Sequence, residues 1–269
     1  MGDVTDALLH GTSSRLNSML GVNGFDPTST RLHTGPLPLH TYPGPDVNDK
    51  ITTLSVYTPS TLHFWSHTAA WTEMMNLAFF TSHSSTKTMP GEVARFQTET
   101  QFINELGSQE GTFIAVLAFD QPDGELYDGI IGTAAAKRYA PPTGALPPKS
   151  QQGETFSRST ESFATFEGAE LWELRHMGVR PDLQGRGLAG YLMKLCEEEV
   201  QRLFDARKAK GEVVDGMGLV MLLTTLKEIN ETFYAKRGWK WDEEKKFGKG
   251  WMGSEAGFSV AHMSKRLVQ

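Results

Sequence analysis

One mixed, mostly antiparallel sheet of about 6–7 strands with about 4 helices on its two faces is the α/β (α+β) architecture this sequence predicts. Three observations lead there. The chain has 269 residues with 39% hydrophobic and 10% aromatic content, enough to build a core without disulfide or metal. Its periodic segments run strand, two helices, hairpin, then strand–helix–strand–helix and two terminal strands. Finally, a single stretch of small residues follows a strand and opens a helix, around position 185.

Residues 1–50 are rich in Gly, Pro, Ser and Thr, and the prolines at 36, 38, 43 and 45 exclude helix and central strand. They read as an N-terminal extended arm, partly disordered, with a short helix around Leu16, Met19 and Leu20; residues 51–269 form the domain. The β-branched alternation of 51–57 predicts a strand. Helical spacing marks 61–80, through Phe64, Trp71, Met75 and Phe79, and then 92–106, through Val93, Phe96, Phe102, Ile103 and Leu106. The apolar run 112–119 is a buried strand; a Pro-Asp-Gly turn at 122–124 leads to its hairpin partner at 129–137. Residues 140–168, rich in Pro, Ser, Gln and Thr, read as a loop insertion. A strand at 169–179, an amphipathic helix at 187–208, an apolar strand at 218–225 and a short helix at 228–236 ending at Gly238 follow. Strands at 239–241 and 258–263 close the chain around a polar loop, and the mixed charges of 236–249 read as solvated loop rather than a phosphate-binding patch.

Composition narrows the function. The net charge is −6 and no Lys/Arg stripe appears, which argues against a nucleic-acid partner and is compatible with a cationic or amine-bearing substrate. Neither a run of about 18 apolar residues nor a basic, apolar start is present, so no membrane span or secretory signal is expected. One cysteine, Cys196, permits no internal disulfide and fits a reducing compartment: the cytoplasm, with the nucleus also open. Cys196 reads as buried filler rather than a covalent carrier. The eight histidines lack ligand spacing, so no metal is expected.

Chemistry concentrates in Leu171-Trp172-Glu173-Leu174-Arg175-His176-Met177-Gly178-Val179-Arg180-Pro181-Asp182-Leu183-Gln184-Gly185-Arg186-Gly187-Leu188-Ala189. A strand runs into a proline turn, and small residues then open a helix. The first amides of a helix lack internal acceptors and its dipole is positive there, so the turn suits an anion, with pyrophosphate the natural occupant. Gly185, Gly187 and Ala189 allow close backbone approach, and Arg186 adds charge. The same letters spell GxGxxG through Gly190, but a dinucleotide fold places its first glycine directly after the strand and an acid about 20 residues on. Here five residues intervene, and an acid at the end of the next strand comes only at Glu228, 38 residues beyond Gly190.

These residues resemble the GNAT superfamily of N-acetyltransferases, whose motif runs strand, Val-x-Pro, then Gln/Arg-x-x-Gly-x-Gly/Ala; Gln184, Gly187 and Ala189 match its three positions. Asn230-Glu231-Thr232-Phe233-Tyr234-Ala235-Lys236-Arg237-Gly238-Trp239 resembles the family's downstream Asn…Phe-Tyr-x-x-x-Gly-Phe element, with Trp239 for Phe. The resemblance spans about residues 51–267. It implies acetyl-CoA as cosubstrate. Amides of Gln184, Gly185, Arg186, Gly187, Leu188 and Ala189 would hold its pyrophosphate, and the main chain of Met177, Gly178 and Val179 its pantetheine, on a strand that splays from its neighbour. Asn230 would bond the pantetheine or phosphate arm, and the Tyr234 hydroxyl would protonate the departing thiolate. The alternatives are ordinary packing of an amphipathic helix for Tyr234 and a helix N-terminal polar residue for Asn230.

An alkyl amine with pKa near 10.4 is protonated at neutral pH, a penalty of about 3.4 units or roughly 4.6 kcal/mol, so a general base helps. Glu173 stands 11 residues ahead of Gln184, the offset of the glutamate base in the family's histone-acetylating branch, and is the first candidate. His176 competes on its ordinary pKa, and Glu170 is third. Strand alternation puts Glu173, Arg175 and Met177 on one face and Trp172, Leu174 and His176 on the other, barring a bulge. By the resemblance, the acceptor lies between the first two helices, their loop at 82–91 and the terminal strands with their loop at 242–257; Phe64, Trp65 and Trp71 are candidate lining residues, although core packing is the better reading of the two tryptophans. The expected activity is acetyl transfer to a primary amine of a small molecule. Protein or peptide lysine or N-terminal acetylation, and a catalytically silent acetyl-CoA-binding module, are the alternatives. Relatives often pair through sheet edges, so the resemblance makes a homodimer one expected arrangement.

Overall fold

Every residue of the strand Phe113–Phe119 is buried. Its odd members, Phe113, Ala115 and Leu117, enter one core and its even members, Ile114 and Val116, another. Burial on both faces is why the segment reads as an unbroken apolar run rather than an alternation. The computed structural model describes residues 37–62, 68–84, 94–120, 129–139 and 165–268. In chain order the elements are β1 (His40–Pro43), β2 (Thr52–Tyr57), α1 (Pro59–Leu62), α2 (Thr68–Ser84), α3 (Gln101–Leu106), β3 (Phe113–Phe119), β4 (Ile130–Arg138) and β5 (Ala169–Val179). A 3₁₀ turn (Pro181–Leu183) leads to α4 (Leu188–Ala209), β6 (Gly218–Leu226), α5 (Lys227–Ala235), β7 (Lys240–Phe247) and β8 (Phe258–Val268).

The strands form one sheet in the order β1-β2-β3-β4-β5-β6-β8-β7. Every pairing is antiparallel except β5 with β6. The expected mixed, mostly antiparallel α/β architecture is therefore present, with eight strands where about 6–7 were anticipated. On one face α4 buries Leu188, Leu192, Leu195, Cys196, Val200 and Phe204. On the other, Trp71, Met74 and Met75 of α2 pack with Phe96, Phe102, Ile103 and Leu106.

Four elements depart from expectation. β1 lies within the segment read as an extended arm and adds to the free edge of β2, where Pro43 needs no ladder partner on its outer side. The second helix starts at Gln101 rather than 92, because the Phe96 backbone is tied to Asn76 instead of to a helical turn: its amide donates to Asn76 Oδ1 (2.8 Å) and its carbonyl accepts from Nδ2 (2.9 Å). Residues 240–247, read mainly as polar loop, form β7 along β8; its charged side chains suit a sheet edge. The fourth is a bulge between β4 and β5. Thr133 faces Gly178 and Ala135 faces Arg175, so Ala134 stands opposite both His176 and Met177.

That bulge reverses the expected faces. His176, at φ +50°, joins Glu173 and Arg175 on the α2/α3 side, where its ring meets Phe96 edge-on at 5.2 Å. Met177 turns instead to the α4 core. Gly178 faces α2 so closely that a Cβ there would lie 2.6 Å from Met75 Sδ. The short helix expected around Leu16, the 122–124 turn and residues 140–164 of the anticipated insertion lie outside the described residues.

Candidate active site

The sheet opens at its centre. β5 and β6 pair from Ala169 with Gly218 to Glu173 with Leu222, and there the pairing stops. Beyond it β5 continues to Val179 beside β4, and β6 continues to Leu226 beside β8. A wedge remains between 174–179 and 223–226, with backbone groups that a bound strand-like ligand would satisfy.

At the mouth of the wedge the chain turns through Pro181–Leu183 into residues 184–187 and α4. Gln184 closes the turn by donating from Nε2 to the Val179 carbonyl (3.0 Å). Gly185 and Gly187 take φ of +77° and +82°, which side chains other than glycine rarely adopt. The helix then begins, and the first α4 amide to find an acceptor is Tyr191, bonded to Gly187 O (3.0 Å). Among the described residues the amides of 185–190 bond to no protein acceptor. A run of unsatisfied N–H groups at the positive end of a 22-residue helix is suited to an anion. Arg186 extends from it and donates from Nη1 to Asn48 Oδ1 in the β1–β2 turn.

The second motif lies in α5, directly after β6. Asn230 is half-buried and donates from Nδ2 to Thr225 Oγ1 (2.9 Å). Tyr234 is 7% exposed and packs edge-on with Phe233 and Trp239. Its hydroxyl has no hydrogen-bond partner among the described residues, and burial holds its pKa above the ordinary 10. It therefore stays protonated at neutral pH.

The three candidate bases separate clearly. Glu173 stands at the closed end of the wedge, 16% exposed, with Arg175 Nε 3.5 Å from Oε1. His176 is not placed to serve. Burial and the adjacent Arg175 push its pKa down to about 3, and Nε2 is enclosed with no hydrogen-bond partner among the described residues, 4.0 Å from Glu105 Oε2. A ring so weakly basic takes no proton near neutrality. Glu170 is committed elsewhere: Trp172 Nε1 (2.7 Å) and both terminal nitrogens of Arg207 (2.8 Å each) bind it, tying β5 to α4.

Glu105 organises the surroundings of Glu173. Its carboxylate takes a two-pronged bond from Arg95 (2.8 and 3.1 Å) and one from Gln101 (3.0 Å). Arg175 Nη1 (3.1 Å) and Lys137 Nζ (3.3 Å) cap its carbonyl at the end of α3. Sequence reasoning missed this cluster because its members are scattered over 95–175.

Trp71, a candidate for the acceptor pocket, is instead fully buried against Phe102, ring centroids 4.0 Å apart. It is a core residue because α2 turns it toward the sheet. Phe64 and Trp65 lie outside the described residues, as does most of the 82–91 loop. Cys196 is fully buried and its thiol pKa is raised by desolvation, so it is inert filler. Among the described residues no cluster of three or more His, Cys, Asp or Glu could hold a metal ion, and no helix is long and apolar enough to cross a membrane.

A mixed sheet parted beside β5, a glycine turn at the head of the following helix and an Asn…Tyr helix after β6 together make the arrangement that the resemblance to the GNAT superfamily implies. No protein-family model matches the chain, and no curated protein matches it. Solved structures similar to it include a putative acetyltransferase from Acinetobacter baylyi, at 15% identity over 80% of this chain and 93% of that one, with TM-score 0.45. Another is FeeM, an N-acyl amino acid synthase from uncultured soil microbes, at 11% identity over 84% and 92%, TM-score 0.46. A third is an acetyltransferase of the GNAT family from Streptococcus pneumoniae, at 14% identity over 79% and 98%, TM-score 0.40.

Proposed function

We propose that this chain is an acetyl-CoA-dependent N-acetyltransferase of the GNAT superfamily that transfers acetyl directly to a primary amine of a small molecule. The observation that carries the reading is the run of unbonded amides at 185–190, set at the mouth of the β5/β6 wedge. A diphosphate fits the cradle, and an extended amide-bearing arm fits the wedge between strands. Gln184, Gly185, Arg186, Gly187, Leu188 and Ala189 hold the diphosphate end. The main chain of Met177, Gly178 and Val179, with Asn230, lines the arm.

Bound acetyl-CoA supplies a thioester whose acyl carbon the amine nitrogen attacks, forming the amide as the carbon–sulfur bond breaks. Glu173, at the closed end of the wedge, takes the amine proton directly or through one water. Tyr234, kept neutral by burial, donates its proton to the sulfur. No acyl-enzyme is needed, which agrees with the inert Cys196.

Calorimetry with acetyl-CoA, followed by thiol release across amines, polyamines, amino sugars, amino acids and basic peptides, tests the reading. Release with small amines supports it. Release with peptides alone makes the chain a protein or peptide acetyltransferase, and binding without release makes it a silent acetyl-CoA-binding module. A protein that binds no acetyl-CoA ends the proposal.

A further inference from the structure

Arg237 sits in the turn between α5 and β7, in a segment whose mixed charges read as solvated loop. The structure gives it a particular place. Its guanidinium carbon lies 3.9 Å from the centre of the Phe233 ring, and Nη1 donates to Phe233 O (2.9 Å). On its other side is the first turn of α4. A Cβ built on Gly190 would lie 3.0 Å from Arg237 Nε and 3.1 Å from Nη2. Gly190 needs no glycine for its backbone dihedrals, and glycine inside a helix costs about 1 kcal/mol against alanine. The guanidinium beside it offers a reason for the glycine: a side chain there would crowd it and make it give by a few tenths of an ångström.

Among the described residues no carboxylate lies within salt-bridge distance of Arg237, although burial already lowers its pKa. A half-buried cation held against unbonded amides, with one of its five N–H donors used on Phe233 O, is a site built for an anion from outside the chain.

We propose that Arg237 is a ligand of the cofactor diphosphate, gripping it from the α5 side while residues 185–190 hold it from the α4 side, and that Gly190 is small in order to admit it. This rests on the acetyl-CoA reading above. It goes beyond that reading by making the α5–β7 turn part of the binding site, so that the helix carrying Asn230 and Tyr234 is fastened to the diphosphate cradle. The plainer alternative is that Arg237 only caps the last carbonyls of α5.

Calorimetry of CoA and of pantetheine, which lacks the diphosphate, separates the two. Arg237→Gln is expected to weaken CoA about 10- to 100-fold, with pantetheine affinity unchanged. Arg237→Lys should recover part of the loss, and the salt dependence of CoA binding should flatten in Arg237→Gln. Gly190→Ala, which favours the helix but displaces the guanidinium, should weaken CoA without lowering thermal stability. If Arg237→Gln and Gly190→Ala leave CoA affinity at the wild-type value, or weaken CoA and pantetheine equally, Arg237 is a structural cap and the proposal is overturned. Failure of the wild-type protein to bind CoA would instead remove the acetyltransferase reading itself.

Discussion

Glu173 and Leu222 form the last rung shared by β5 and β6. One residue further the strands part, so the carboxylate stands where the wedge closes and where the reactive end of a ligand entering from the 184–190 loop would arrive. Arg175 Nε at 3.5 Å keeps it oriented without a short bond to occupy it.

Glu173→Gln should therefore lower kcat/KM for amine acetylation about 100-fold near pH 7, the usual contribution of a positioned base, with acetyl-CoA binding unchanged by calorimetry. The loss should shrink as pH rises toward the pKa of the amine, because more of the amine arrives already deprotonated. A variant whose pH–rate profile overlays that of the wild type would remove Glu173 from this role.

Tyr234→Phe deletes one hydroxyl that bonds to nothing among the described residues, so thermal stability should move little. The rate should fall about 100-fold in kcat with KM for acetyl-CoA nearly constant, since the proton is needed only as the carbon–sulfur bond breaks. Burial raises the Tyr234 pKa above 10, so the wild-type enzyme should show no loss of activity from its ionisation below that pH. Equal falls in affinity and rate would point to packing instead.

Gly187 tests the cradle. At φ +82° it has open space around a would-be Cβ, so Gly187→Ala introduces backbone strain rather than a clash. The expected cost is about 1–2 kcal/mol, or a few degrees in Tm. Relaxing that strain re-aims the amides that follow, and acetyl-CoA affinity should drop about tenfold or more, equivalent to about 1.4 kcal/mol. Stability lost without any change in affinity would show that the amides do not hold the ligand.

What the sequence revealed follows from where its signals are local. The glycine turn and the Asn230–Tyr234 segment are short and contiguous, and the structure sets them on either side of one wedge. Phe96, Phe102, Ile103 and Leu106 do reach the core, but Phe96 gets there through a side-chain clasp with Asn76, a contact 20 residues away that no periodicity encodes. β7 was illegible because an edge strand buries little and carries charge, so its hydropathy matches that of a loop. The β5 bulge was hidden for another reason. It rests on His176 adopting a left-handed backbone, and a histidine gives no warning of that as a glycine would. The consequence was a wrong face for both His176 and Met177.

His176 itself yields a stability prediction with a definite sign. Its folded-state pKa, about 3, lies below the 6.5 of an exposed ring, so between those values the unfolded chain binds a proton that the native protein refuses. Stability present above pH 6.5 is therefore lost as pH falls, by at most about 1.4 kcal/mol per unit. Glu105, whose pKa the Arg95 pairing holds below 4.5, loses its own contribution only under that value, outside the interval from pH 6.5 to 5, and Glu197, whose pKa burial raises, is common to both proteins under comparison. His83, also depressed by burial, adds to the wild-type slope but is common to both proteins under comparison. Denaturant midpoints measured across that interval should fall more steeply for the wild type than for His176→Asn, a residue that also tolerates the left-handed conformation. Parallel slopes would mean that His176 accepts a proton in the folded protein, which would return it to the list of candidate bases.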